Sequence, residues 1–276
     1  MHSGLLPRRG FVAGLFAAAA VSGGCQRAES DQQPSAEQRE LSVFAASSLR
    51  DTFTELGREF ERAHARVRVV FNFAGTQELR TQLEHGARAD VLASADLKHA
   101  NELVESKRIL APVSFARNEP VVVVPIGAQP GLRTFGDLPS VTKLVIGTPE
   151  VPIGRYTLQI LDRANQQLGS DFRSRVEAKV ASRELNVRQV LAKISLGEAD
   201  AAIVYRTDAN AAREKVRIVP IPADLNVIAE YPIAVVADAQ QPELAVEWVN
   251  LLRSEAGRKV LLAAGFLAPE APAQPE

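Results

Sequence analysis

Small residues and hydroxyls recur at two junctions: Val43-Phe44-Ala45-Ala46-Ser47-Ser48-Leu49 and Phe71-Asn72-Phe73-Ala74-Gly75-Thr76-Gln77-Glu78-Leu79. In each, an apolar strand-like run gives way to small residues and a hydroxyl, and a helical pattern follows. The first N–H groups of a helix have no intrahelical acceptor and stand at the positive end of the macrodipole. With a hydroxyl at the cap, such an end holds an anion without help from Lys or Arg. Two of these ends facing one point would make an oxyanion site. Taken singly, Ser47, Ser48 and Thr76 read as ordinary helix caps; only their joint pattern points to a site.

Other chemistries find little support. His2, His64, His85 and His99 show no metal-ligand spacing. No Gly-x-Ser-x-Gly elbow, P-loop or dinucleotide fingerprint occurs. The turn at 43–49 could mimic that of a nucleophilic serine, but no histidine is placed to serve it. The expectation is a binding protein, not an enzyme.

The elements that must position these junctions follow from periodicity. Residues 41–45 read as a buried strand, and Leu49, Phe53, Leu56, Phe60 and Ala63 recur at helical spacing. Val67, Val69 and Phe71 alternate as a strand, and Leu79 and Leu83 mark a helix ending near Gly86. A short strand at 90–93 and a helix at 97–104 complete a strand-helix alternation typical of a parallel sheet. Pro120–Pro125 encloses four valines between prolines, and 231–236 is a second apolar run; both are candidate crossovers. Between them lie a strand at Leu144–Gly147, a helix marked by Tyr156, Ile160, Leu161, Ala164 and Leu168, a helix marked by Val187, Val190, Leu191 and Ile194, and a strand at Ala201–Tyr205. Two helices follow, the second at 254–264. The order predicts two α/β lobes joined by two crossover segments, lobe 1 from 41–122 and 236–276 and lobe 2 from 123–235.

The N-terminus reads as a targeting segment. Arg8-Arg9 precede an apolar run at 11–21, the small residues Ser22-Gly23-Gly24, and Cys25. The run is too short for a membrane-spanning helix, which needs about 20 residues, and fits a secretory signal. Cys25 is the only cysteine, so no internal disulfide is possible. Residues 1–25 are expected to be a lipoprotein-type signal peptide with Cys25 as the acylated residue. Residues 26–40 are polar and expected to be a flexible tether from the membrane. In the 276 residues, 32 Lys and Arg against 33 Asp and Glu give a net charge of -1. No basic field points to nucleic acid, and 5% aromatic residues argue against a stacking platform.

Further segments occur in order: Ala89-Asp90-Val91-Leu92-Ala93-Ser94-Ala95, Val151-Pro152-Ile153-Gly154-Arg155-Tyr156, Asn186-Val187-Arg188, Ile203-Val204-Tyr205 and Glu230-Tyr231-Pro232-Ile233-Ala234-Val235. With the two junctions, they resemble the periplasmic molybdate-binding proteins of ABC importers over residues 41–269. The resemblance implies a type II periplasmic binding protein fold in which a tetrahedral dianion, molybdate or tungstate, sits between the lobes. Ser48 and Thr76 would supply hydroxyl and backbone N–H, Ile153 and Val187 backbone N–H, and Tyr205 a phenol hydroxyl. Molybdenum would be bound only as the oxyanion, with no cofactor. The implied setting is a monomer in the periplasmic or extracytoplasmic space, anchored by lipid and delivering its ligand to an inner-membrane ABC permease. Thr76 stands where many relatives have Ser, and Ile153 where some have Ala. Arg155, one residue past Gly154, is expected either to shape the field at the pocket rim or to be a solvated helix residue. Asp90 is expected to accept backbone N–H groups, since a carboxylate would repel an anion. The alternatives are another tetrahedral oxyanion such as sulfate, or an enzyme on a related bilobal scaffold. Porphobilinogen deaminases share that scaffold but need a cysteine for their cofactor, and here the only one belongs to the signal.

Overall fold

In the computed structural model, residues 38–127 and 132–270 are described. Cys25 and the signal segment lie outside the described residues. β1 (Arg39–Ala46) buries Leu41 and Val43 to Ala46. A 3-10 turn, Ser47–Leu49, leads into α1 (Arg50–Ala63), which buries Phe53, Leu56 and Phe60 on one face, as helical spacing of apolar residues requires. β2 (Val67–Ala74), α2 (Thr76–Glu84), β3 (Val91–Ala93), α3 (Leu97–Glu105) and β4 (Val113–Asn118) complete the outgoing half of lobe 1. Only Glu119 separates β4 from β5 (Pro120–Pro125), which opens lobe 2. There follow a 3-10 turn at Phe135–Ser140, β6 (Leu144–Gly147), α4 (Pro152–Gln167), α5 (Phe172–Glu177), β7 (Val180–Glu184), α6 (Val187–Ser195), β8 (Ala201–Tyr205), α7 (Arg206–Ala211) and β9 (Val216–Val219). The chain then returns through β10 (Ala229–Val235) to α8 (Pro242–Arg253) and α9 (Glu255–Ala264).

The two sheets share one plan. The first has strand order β2-β1-β3-β10-β4 and the second β7-β6-β8-β5-β9. In the first, β1 pairs parallel with β2 and β3, while β10 runs antiparallel between β3 and β4. In the second, β6 pairs parallel with β7 and β8, while β5 runs antiparallel between β8 and β9. Each sheet therefore takes its antiparallel strand from the chain arriving out of the other lobe. This is the two-lobed α/β architecture expected from the sequence.

Sheet membership moves the expected limits. All of Pro120–Pro125 belongs to the second sheet and all of Ala229–Val235 to the first. The lobes therefore change over at Glu119 and within 220–228, not at 122/123 and 235/236. Arg39 and Glu40, placed in the tether by the sequence reading, belong to β1 and pair with Val67 and Arg68; residues 26–37 lie outside the described residues. β4, β7 and β9 and the short helices α5 and α7 carried no clear sequence signal. β7, Val-Ala-Ser-Arg-Glu, lies at an edge with no fully buried residue, so its side chains need no apolar alternation.

Asp90 does what its position suggested. Its Oδ2 accepts from the Ser42 N–H and its Oδ1 from the Gln241 N–H, both at 2.8 Å, joining β1 to the segment before α8. Trp248 of α8 anchors the returning chain, with its ring edge-on to Phe53 and Phe60 at 5.4 and 5.6 Å.

Candidate functional site

In βα units the ligand crevice lies beyond the carboxyl ends of parallel strands, where helices begin. Here the ends of β1 and β2 meet the ends of β6, β7 and β8 across the cleft. One cavity lies between them, and Ser48, Thr76, Ile153, Val187 and Tyr205 all line it. Its free volume is about 10 Å³, room for about one water. No lining residue carries a charge.

The first-lobe hydroxyls reach the cavity differently from the expected capping role. The residue capping α2 is Gly75, whose N–H donates to Glu78 Oε2 at 2.9 Å, and Thr76 is the first helical residue. Ser48 lies within the 3-10 turn, whose flanking caps are Ala46 and Arg50. Neither hydroxyl closes its own helix, so both remain for the cavity. On the opposite side Ile153 is the second residue of α4 and Val187 the first of α6. First-turn N–H groups at these positions lack intrahelical acceptors. Asn186 caps α6 by accepting from the Gln189 N–H at 3.1 Å. Gly154 permits α4 to start so close to β6: a Cβ there would stand 1.9 Å from the Thr148 carbonyl oxygen.

Tyr205 ends β8 and is 1% exposed. Its hydroxyl has no hydrogen-bond partner among the described residues. Burial pushes its titration well above the ordinary phenol value, so the group is a neutral O–H. A buried hydroxyl without a partner costs roughly 1–3 kcal/mol, and this one borders the cavity.

The cleft is closed by contacts between the lobes. Arg155 of α4 forms an ion pair with the buried Asp96 of lobe 1, so it bridges the lobes, and of the two readings of it the solvated helix residue is the one that fails. His99 Nε2 lies 3.0 Å from the Glu150 carbonyl oxygen. Gln77 Nε2 donates to the Leu185 carbonyl at 2.7 Å, and Arg188 of α6 donates to Asp51 of α1 at 2.7 Å. Positive side chains thus rim the cavity, neutralised by carboxylates. Sequence reasoning did not assign Asp96, Asn118 or Tyr231 to the site. Tyr231 lay within a noted motif, but its contact is with Ser48, 183 residues away.

Two α/β lobes exchanging strands, with a closed cleft lined by helix N-termini, define a solute-binding protein of the periplasmic type. The chain belongs to the family of bacterial extracellular solute-binding proteins, whose model matches residues 41–267. It is 36% identical over 264 residues to the molybdate-binding protein ModA of Mycobacterium tuberculosis H37Rv, covering 94% of this chain and 97% of that one. Its fold is similar to the periplasmic molybdate-binding protein of Azotobacter vinelandii, with TM-score 0.72 at 20% identity over 83% of this chain and 100% of that one. It is also similar to the sulfate-binding protein SubI of Mycobacterium tuberculosis H37Rv, with TM-score 0.76 at 19% identity over 85% and 88%. These structural likenesses speak for the fold alone. Among the described residues no helix is long and apolar enough to cross a membrane.

Proposed function

We propose that the protein captures molybdate, and also tungstate, between its lobes and delivers it to an inner-membrane ABC permease. The observation that carries this reading is the buried Tyr205 hydroxyl, without a partner among the described residues, on a small cavity also lined by the hydroxyls of Ser48 and Thr76 and by first-turn N–H groups. Such a site offers hydrogens to a dianion and makes a counter-charge unnecessary. Ser48, Thr76, Ile153, Val187 and Tyr205 are the proposed ligands. Each hydrogen bond to a charged acceptor is worth about 1.5–3 kcal/mol, so several together support sub-micromolar binding after ordering costs.

The similarity to ModA favours molybdate over sulfate, a choice that the likeness to SubI shows the fold does not make. The lining contains no histidine or carboxylate to act as a base, which favours binding over catalysis. The protein is proposed to act as an extracytoplasmic monomer held at the membrane through acylated Cys25.

Calorimetry of the purified protein against molybdate, tungstate, sulfate and phosphate tests the reading. Molybdate and tungstate are expected to bind tightly and sulfate far more weakly. Sulfate or phosphate binding as tightly as molybdate would overturn it.

A further inference from the structure

Tyr231 does not line the cavity, yet it touches the site. It is fully buried in β10, and its hydroxyl lies 2.8 Å from Ser48 Oγ. Behind it stands Asn118, buried at the end of β4 where the chain changes lobes. The Asn118 amide has a fixed sense, because the Glu119 N–H donates to its Oδ1 at 2.9 Å. Its Nδ2 therefore faces Thr207 Oγ1 at 2.8 Å and the Tyr231 hydroxyl at 3.4 Å as a donor to both.

This order propagates. A phenol oxygen that accepts from Asn118 has its own hydrogen left to donate, and Ser48 Oγ is the acceptor at hand. With its oxygen engaged from behind, Ser48 directs its hydrogen into the cavity. Thr76 is arranged alike: the Ala95 N–H donates to its Oγ1 at 3.1 Å, leaving the hydroxyl hydrogen free. Tyr205 has no acceptor at all among the described residues. Each hydroxyl can donate or accept in principle, but these contacts leave Ser48 and Thr76 to donate toward the cavity.

We propose that Tyr231, held by Asn118, is a positioning residue that makes Ser48 a hydrogen-bond donor, so that the pocket selects a fully deprotonated tetrahedral dianion over one that carries a proton. The proposal rests on the oxyanion-binding reading above and adds the origin of its selectivity. A protonated anion must place its O–H against an acceptor, and Ser48 and Thr76, each engaged from behind, turn only hydrogens toward it. Without the Tyr231 hydroxyl, Ser48 can turn and present a lone pair.

The test compares molybdate, deprotonated at neutral pH, with phosphate, which carries protons there. Calorimetric titration and competition are run on wild type, Tyr231→Phe, Ser48→Ala and the double variant, with melting curves to confirm folding. Tyr231→Phe is expected to weaken molybdate by about 3- to 10-fold while phosphate holds or tightens, narrowing the ratio roughly tenfold. In the Ser48→Ala background it should change that ratio by less than about twofold. Should Tyr231→Phe fail to fold, Asn118→Ala withdraws the orienting amide and is expected to narrow the ratio in the same direction. Equal loss for both anions, or a changed ratio that persists without Ser48, would overturn the assignment while the binding reading stands. A wild-type protein that binds neither anion would overturn both.

Discussion

The guanidinium of Arg188 lies with its Nε 2.9 Å from Oδ1 of Asp208, and from the same side chain Nη2 donates across the cleft to Asp51 at 2.7 Å. Asp208 is fully buried on α7, directly behind the cavity residue Tyr205. One arginine therefore compensates a buried carboxylate in lobe 2 and clasps lobe 1. Burial pushes the Asp208 carboxyl from 3.8 up to about 6, outweighing the opposing pull of Arg188.

That shift sets a pH dependence. A raised carboxyl pKa means that the folded protein holds this proton more tightly than the unfolded chain does. The stability it contributes is full below the unfolded value of 3.8 and is lost as pH rises through about 6. Asp208→Asn abolishes this titration. The unfolding free energy of wild type minus that of Asp208→Asn should fall by roughly 3 kcal/mol between acid and neutral pH. Urea unfolding at a series of pH values measures it, and a flat difference would contradict the raised pKa.

Tyr205→Phe deletes a hydroxyl that has no hydrogen-bond partner among the described residues. Anion affinity should fall by about 1.5–3 kcal/mol, roughly tenfold to hundredfold. The melting temperature without ligand should hold or rise, because a desolvated orphan group is removed. Ligand-induced compaction seen by small-angle scattering should diminish. Unaltered affinity would take Tyr205 out of the site.

Arg155 meets Asp96 only when the lobes are together. Arg155→Met would leave that carboxylate buried without its arginine in the closed form, held through the His99 N–H that donates to its Oδ1 at 2.9 Å, whereas opening rehydrates it. The penalty therefore falls on closure. Anion affinity is expected to drop by ~1–2 kcal/mol, since Arg155 is partly solvated, with little loss of unliganded stability. Scattering should show a more open average shape. A variant that binds and closes like wild type would reduce the pair to a surface contact.

Cys25→Ser should move the protein from the membrane fraction to the soluble exported fraction. Wild-type protein already soluble after export would refute the acylated anchor.

Local chemistry in the sequence determined much of this protein. The helix α1 follows from Leu49, Phe53, Leu56 and Phe60, and β5 from an unbroken valine run between prolines, because periodicity and apolar length depend only on neighbours in the chain. Ser48 and Thr76 stood out because strand-to-helix junctions carry local signals. Tertiary structure decided the rest. A buried strand reads alike whichever sheet receives it, so the placement of Pro120–Pro125 and Ala229–Val235 needed the pairing itself. Thr76 looked like a cap, but the extended backbone of Gly75, φ -66° and ψ 142°, takes that position and moves the hydroxyl to the cavity. Arg155 looked solvated until Asp96 was brought against it. The Ser48–Tyr231 contact joins residues 183 apart. Hydrogen bonds of that span are set by how two lobes exchange strands, which no local pattern encodes.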